Sequence, residues 1–138
     1  MSDLMDRYPD AVKFTPGDNH DLCEFLLMLM ETGRKTATCM ALADVANGIE
    51  SMPVVGRRDI ATSFEGAPRL VIETTEVSLV PFNEVTEGFA LAEGENETLD
   101  GWRSDHAAYF ARNGGFEPDM MLVCERFQLI EVVGPETG

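Results

Sequence analysis

Apolar positions along the chain fall into two helical stripes and several strand-like runs. Leu22, Phe25, Leu26 and Leu29 recur at i, i+3, i+4 and i+7, one face of a helix spanning about 19–31. Leu27, Met28 and Met30 fill the other faces, so this helix is expected to be buried on more than one side. Asn19 and Asp21 suit its N-terminus, and Gly33 follows where a left-handed C-terminal residue is wanted. A second stripe, Leu99, Trp102, His106 and Phe110, predicts a helix over 98–113 that is capped by Thr98 and closed by Gly114-Gly115. Between the two, residues 60–64 and 69–80 flank a Glu65-Gly66-Ala67-Pro68 turn and read as a β-hairpin.

The remaining elements are weaker. Residues 35–39 can begin a strand, and 41–47 carry helix formers up to an Asn47-Gly48 stop. Asn83 can cap a short helix through Phe89 and Ala90, and 120–133 is strand-like with a kink near Glu125-Arg126. Pro9, Pro16 and Gly17 make 1–18 a loosely ordered lead-in. Residues 19–133 then form a single domain, and 134–138 a disordered tail. The one tight connection between strong strands is a hairpin. The expected fold is therefore α+β, a mainly antiparallel sheet or barrel of five or six strands with peripheral helices.

Charge narrows the partners. Among 138 residues, 25 acidic side chains oppose 10 lysines and arginines, a net charge of −15. Such a field repels phosphate backbones, so DNA is not an expected partner and single-stranded RNA requires a local basic pocket. No run of eighteen apolar residues is present and the N-terminus lacks an apolar leader segment, so neither a membrane span nor secretion is expected. Cys23, Cys39 and Cys124 are an odd number with no close pair, which suits small buried residues in a reducing cytoplasm. His20 and His106 make no metal motif with them, and neither metal nor cofactor is expected.

The candidate chemistry lies in Gly33-Arg34-Lys35-Thr36-Ala37-Thr38-Cys39, which holds one of the two lysines in the chain. A cation pair after a helix can simply complement the helix dipole. Yet Gly33-x-Lys35-x-x-Thr38 resembles the G-x-K-x-x-T signature of the ASCH domains, which have a PUA-like fold. Further blocks follow in the family's order. They are Val71-Ile72-Glu73-Thr74-Thr75-Glu76-Val77 with Pro81-Phe82, then Phe89-Ala90 and an acidic loop. Trp102-Arg103-x-x-His106-x-x-Tyr109-Phe110 and Val123-Cys124-Glu125-Arg126-Phe127 complete the series. The resemblance covers roughly 19–133 and is to the longer, bacterial type.

That resemblance implies a small PUA-like β-barrel. Family members have been proposed as RNA-binding modules, some bacterial ones described as ribonucleases, and shorter ones as amidohydrolases of N(4)-acetylcytidine. The amidohydrolase pattern A-E-x-E-N-x-T-L is similar to Ala92-Glu93-Gly94-Glu95-Asn96-Glu97-Thr98-Leu99. By that likeness Lys35, Thr38 and Glu95 are the catalytic residues, with Thr38 as nucleophile, Lys35 as base and Glu95 as proton shuttle. Arg34, Trp102, Arg103, His106 and Tyr109 are substrate-binding candidates, and Glu125 is pocket lining. The expectation is a metal-independent amidohydrolase acting on an acylated nucleoside. A single-stranded RNA module or ribonuclease is the alternative, and a non-catalytic nucleotide sensor a second. On a regular strand Lys35 and Thr38 point to opposite faces, about 10 Å apart, and converge only if the segment curls.

Overall fold

The computed structural model describes residues 4–133, so the expected tail at 134–138 lies outside the described residues. Five helices and five strands follow one another in the order α1 Leu4–Arg7, β1 Lys13–Phe14, α2 His20–Glu31, β2 Ala37–Ala41, α3 Leu42–Ala46, β3 Arg58–Thr62, β4 Pro68–Pro81, α4 Glu87–Ala92, α5 Leu99–Arg112 and β5 Met121–Val132. The strands form one sheet in the order β1-β3-β4-β5-β2, antiparallel throughout except for the short β1–β3 pair. The edges of this order are β1 and β2. None of the helices among the described residues is long and apolar enough to cross a membrane.

The hairpin forms as the turn chemistry predicts, with Ile60 opposite Val71 and Ser63 N bonded to Ala67 O at 2.8 Å. The irregularity expected near Glu125-Arg126 is carried by the other strand. Thr74 pairs with Phe127 and Glu76 with Arg126, so the extra residue there, Thr75, sits in β4, while β5 carries its own extra residue, Ile130, between the Val71–Glu131 and Ile72–Leu129 pairs. Residues 4–18, expected as a loose lead-in, contain α1 and β1. Val12 N bonds the Asp59 carboxylate at 2.9 Å, and Ile60 N bonds Val12 O at 3.0 Å, which ties this segment to β3.

Side-chain alternation divides the core in two. On one face Ala37, Ala41, Leu122 and Cys124 pack with Phe82, Phe89, Trp102 and Phe110, under α4 and α5. On the other, Ile72 and Phe127 pack with Cys23, Leu27 and Met30 of α2. The buried stripe of α2 therefore starts at Cys23, one residue after the Leu22 expected, and Phe25 stays 43% exposed. Thr86, rather than Asn83, caps α4, because Phe82–Glu84 form a separate 3-10 turn first.

Candidate functional site

Lys35 is positioned by the end of α2. Gly33 turns the chain with φ of +79°, and the amides of Arg34 and Lys35 both return to the carbonyl of Leu29 at 2.9 Å. The next amide, Thr36 N, bonds Ala92 O at 2.8 Å, clamping the segment to the end of α4. The Lys35 side chain, 4% exposed, then points at the turn that follows α4. Its Nζ donates to Glu95 Oε2 at 2.8 Å, to Glu93 Oε1 at 3.1 Å and, more loosely, to the Glu93 carbonyl at 3.4 Å.

Two carboxylates at i and i+2 reach one ammonium because Gly94 lies between them. Its φ is +77°, and a Cβ there would run into the carbonyl of Arg34. Only a glycine allows the two backbones to approach this closely. Glu93 is 1% exposed and its other oxygen accepts from Trp102 Nε1 at 3.0 Å. His106 Nε2 lies 3.4 Å from Glu93 Oε1, while its Nδ1 is bonded to the Trp102 carbonyl at 2.9 Å.

The charges decide one another here. Burial alone would pull the Lys35 ammonium below its ordinary value, but Glu93 and Glu95 outweigh it and raise the pKa. Burial likewise acts to raise Glu93, and Lys35 with His106 more than reverses it, holding Glu93 ionised. Desolvation disfavours the imidazolium of His106, yet Glu93 lifts its pKa overall. This setting opposes the base role expected of Lys35 and suits a fixed positive charge.

Thr38 stands on the opposite face of β2, because it is one residue out of phase with Ala37 and Cys39. Its cross-strand partner is Glu125. That carboxyl is 6% exposed and accepts from the Thr74 hydroxyl, while Asp59 nearby is bonded to Arg57 Nε at 2.8 Å. Burial pushes the Glu125 pKa up, against the lowering effect of the Thr74 hydrogen bond. Lys35 precedes β2, so the alternation of that strand does not set its direction against Thr38. Because β2 is an edge strand, one cleft of about 960 Å³ reaches around it and is lined by Lys35, Thr38, Glu93, Glu95, Glu125, His106 and Tyr109.

The other expected binding residues lie elsewhere. Trp102 is fully buried and stacked between Phe82, at 5.3 Å, and His106, at 4.3 Å, so neither indole face is open to a base. Arg34 is exposed and outside the cleft lining. Arg103 is also outside it and reaches the Asn83 carbonyl at 3.4 Å. Residues not expected in a site role complete the arrangement. Glu93 belongs to the same motif as Glu95, and the glycine between them is the signal that could have found it. Cys39 brings its sulfur within 4.8 Å of a Glu93 carboxylate oxygen, a proximity that sequence spacing does not reveal. Among the described residues Cys39, Glu93 and His106 bring ligand-type atoms within 4.8 Å of one another. A divalent cation there would compete with the Lys35 ammonium for Glu93.

No curated protein matches the chain. Solved structures do. An ASCH domain from Lactobacillus crispatus JV V101 superposes with a TM-score of 0.80 at 30% identity, covering 90% of this chain and 82% of that one. A protein from Enterococcus faecalis V583 gives 0.81 at 35% identity, covering 93% and 83%. A mutant form of the ASCH protein from Zymomonas mobilis, at 11% identity, shares the fold with a TM-score of 0.52, covering 89% and 71%. The ASCH domain family model matches residues 12–131. It thus takes in β1, which pairs with β3 in the sheet, and stops one residue short of the end of β5. With nearly the whole fold inside that match, this chain belongs to the ASCH domain family.

Proposed function

We propose that the protein is a metal-independent amidohydrolase that removes the acyl group from an acylated nucleoside such as N(4)-acetylcytidine. The observation that carries this reading is the buried Lys35 ammonium, held by Glu93 and Glu95 on a cleft that also presents the Thr38 hydroxyl. Amide hydrolysis requires a nucleophile, a charge to face the tetrahedral oxyanion, and a route for protons to the leaving amine. In this proposal Thr38 Oγ1 attacks the acyl carbon and its proton passes to Glu125, its cross-strand partner. Lys35 faces the oxyanion, exchanging its loose 3.4 Å contact to the Glu93 carbonyl for the substrate oxygen. Glu95 relays a proton to the departing amine, and water then cleaves the acyl-threonine to release the carboxylic acid.

The wall of the cleft favours an uncharged substrate over RNA. Seven carboxylates and four cations line it among the described residues, and Lys35, Arg57 and Arg112 are each already paired with a carboxylate. A phosphate chain would meet a net negative surface. Phe25, Ile49 and Pro53 supply an apolar wall against which a base can lie.

The test is release of cytidine from N(4)-acetylcytidine by the purified chain. Thr38→Ala and Glu95→Gln are each expected to lower the rate by about 10²–10⁴, the range for nucleophile and proton-transfer groups. Binding of the nucleoside without release would make the domain a sensor. Cleavage of single-stranded RNA with no action on the acylated nucleoside would make it a ribonuclease.

A further inference from the structure

Cys39 and Cys124 are far apart in sequence but directly opposite each other across the β2–β5 ladder. The kind of pair they form follows from the ladder itself. Phe127 N donates to Thr36 O at 3.0 Å, one step beyond the Ala37–Arg126 pair, which marks a hydrogen-bonded position. Hydrogen-bonded and non-hydrogen-bonded positions alternate along an antiparallel pair. Ala37–Arg126 is therefore non-hydrogen-bonded, Thr38–Glu125 hydrogen-bonded, and Cys39–Cys124 non-hydrogen-bonded again. At such a position the Cα atoms are about 4.5 Å apart and the side chains lean toward each other. That separation lies within the range of about 4.4–6.8 Å that a disulfide spans, near its short end.

The surroundings give the two sulfurs different parts. Both belong to the face under α4 and α5. Cys39 is half-buried and lines the cleft, whereas Cys124 is 3% exposed behind it. Both are free thiols in this structure. We propose that Cys39 and Cys124 are a reversible cross-strand disulfide pair, Cys39 being the thiol that a hydroperoxide reaches first and Cys124 the one that resolves it. The Cys39 thiolate attacks the terminal peroxide oxygen and the O–O bond breaks; the sulfur becomes a sulfenic acid, and the other oxygen leaves as hydroxide or alkoxide and takes up a proton to become water or an alcohol. Cys124 then attacks that sulfur, the S–O bond breaks, and water leaves with the S–S bond formed. Two thiols are oxidised and one peroxide is reduced.

Two consequences follow. The reaction is slow at neutral pH, since burial raises both thiols, Cys124 to about 12, and the thiolate is the nucleophile. Oxidation also removes the thiol proton of Cys39 within 4.8 Å of the Glu93 carboxylate that pairs with Lys35, so the redox state is felt beside the Lys35 cluster.

The experiment is peptide mapping of the intact chain after hydrogen peroxide, with denaturation and alkylation of the remaining thiols. The expected product links the Cys39 and Cys124 peptides, leaves Cys23 fully alkylated, forms faster at mildly alkaline pH and reverts with dithiothreitol. In Cys124→Ser, Cys39 should instead be trapped as a sulfenic acid by dimedone. Alkylation of both Cys39 and Cys124 after oxidation, or overoxidation of Cys39 beside a still-alkylated Cys124 in the unmutated chain, would overturn the proposal.

Discussion

Glu93 and Glu125 are both buried carboxyls on the wall of one cleft, yet they are held in opposite ways. Glu93 faces Lys35, His106 and Trp102, one of them a buried ammonium, and its pKa falls. Glu125 faces the neutral hydroxyl of Thr74, and its pKa rises. Equal burial with unequal partners teaches that desolvation does not decide ionisation by itself. The partner does. It also assigns the chemistry: the first group anchors a permanent charge, and the second can exchange a proton.

The most severe way to break this contrast is to remove the cation. Lys35→Met leaves Glu93 and Glu95 facing each other, Glu93 without water, and is expected to cost about 3–5 kcal/mol in urea denaturation. Adding Glu93→Gln should restore part of that loss. A double variant no more stable than Lys35→Met alone would show that the Lys35–Glu93 pairing is not what holds this face.

A smaller effect tests how the pair is assembled. Gly94→Ala forces a side chain into a left-handed residue against the Arg34 carbonyl, with a cost of about 1–3 kcal/mol. Because that contact sets both carboxylates on Lys35, binding of a nucleoside should weaken along with stability. Gly66→Ala, in the hairpin turn where a Cβ meets nothing, supplies the control for a positive φ without the clash.

The finest test reads the two carboxyls against pH. Glu93 has a folded pKa below its unfolded value, so its contribution is present above about pH 4.3 and is lost as pH falls through the folded pKa. Glu125 has the opposite sign. Its ionisation costs stability as pH rises from about 4.3 through its raised folded pKa. Glu125→Gln should accordingly match or exceed the parent at pH 7 by up to about 1 kcal/mol, with the gain vanishing in acid. Glu93→Gln should lose stability at pH 7 and flatten the acid limb. Melting curves from pH 3 to 8 check both, and equal signs for the two variants would erase the contrast.

Legibility follows the range of the interactions. Asn19 and Thr98 cap the helices they are expected to cap, since a cap joins side chain and backbone within three residues. The hairpin at Ile60 and Val71 is equally local. Thr86 is not legible as the cap of α4 because the chain first spends three residues in a 3-10 turn, which the apolar pattern does not mark. Trp102 offers a stacking surface in sequence, but the rings of Phe82 and His106 cover it, and ring order in a core is a packing outcome. The β1 segment carries only two ladder residues and has no periodicity to read.

The sequence by itself determined the ASCH motif order, the buried helices and the importance of Lys35, because these rest on residue identity and local spacing. Tertiary structure decided which groups share that lysine, that Glu125 rather than a closer neighbour stands across from Thr38, and that Cys39 meets Cys124. The reason is register. An antiparallel ladder joins residues by a constant sum of positions, and one slip would exchange every face. Nothing in a single strand records its partner's register, so the chemistry of this cleft exists only once β5 has paired with β2.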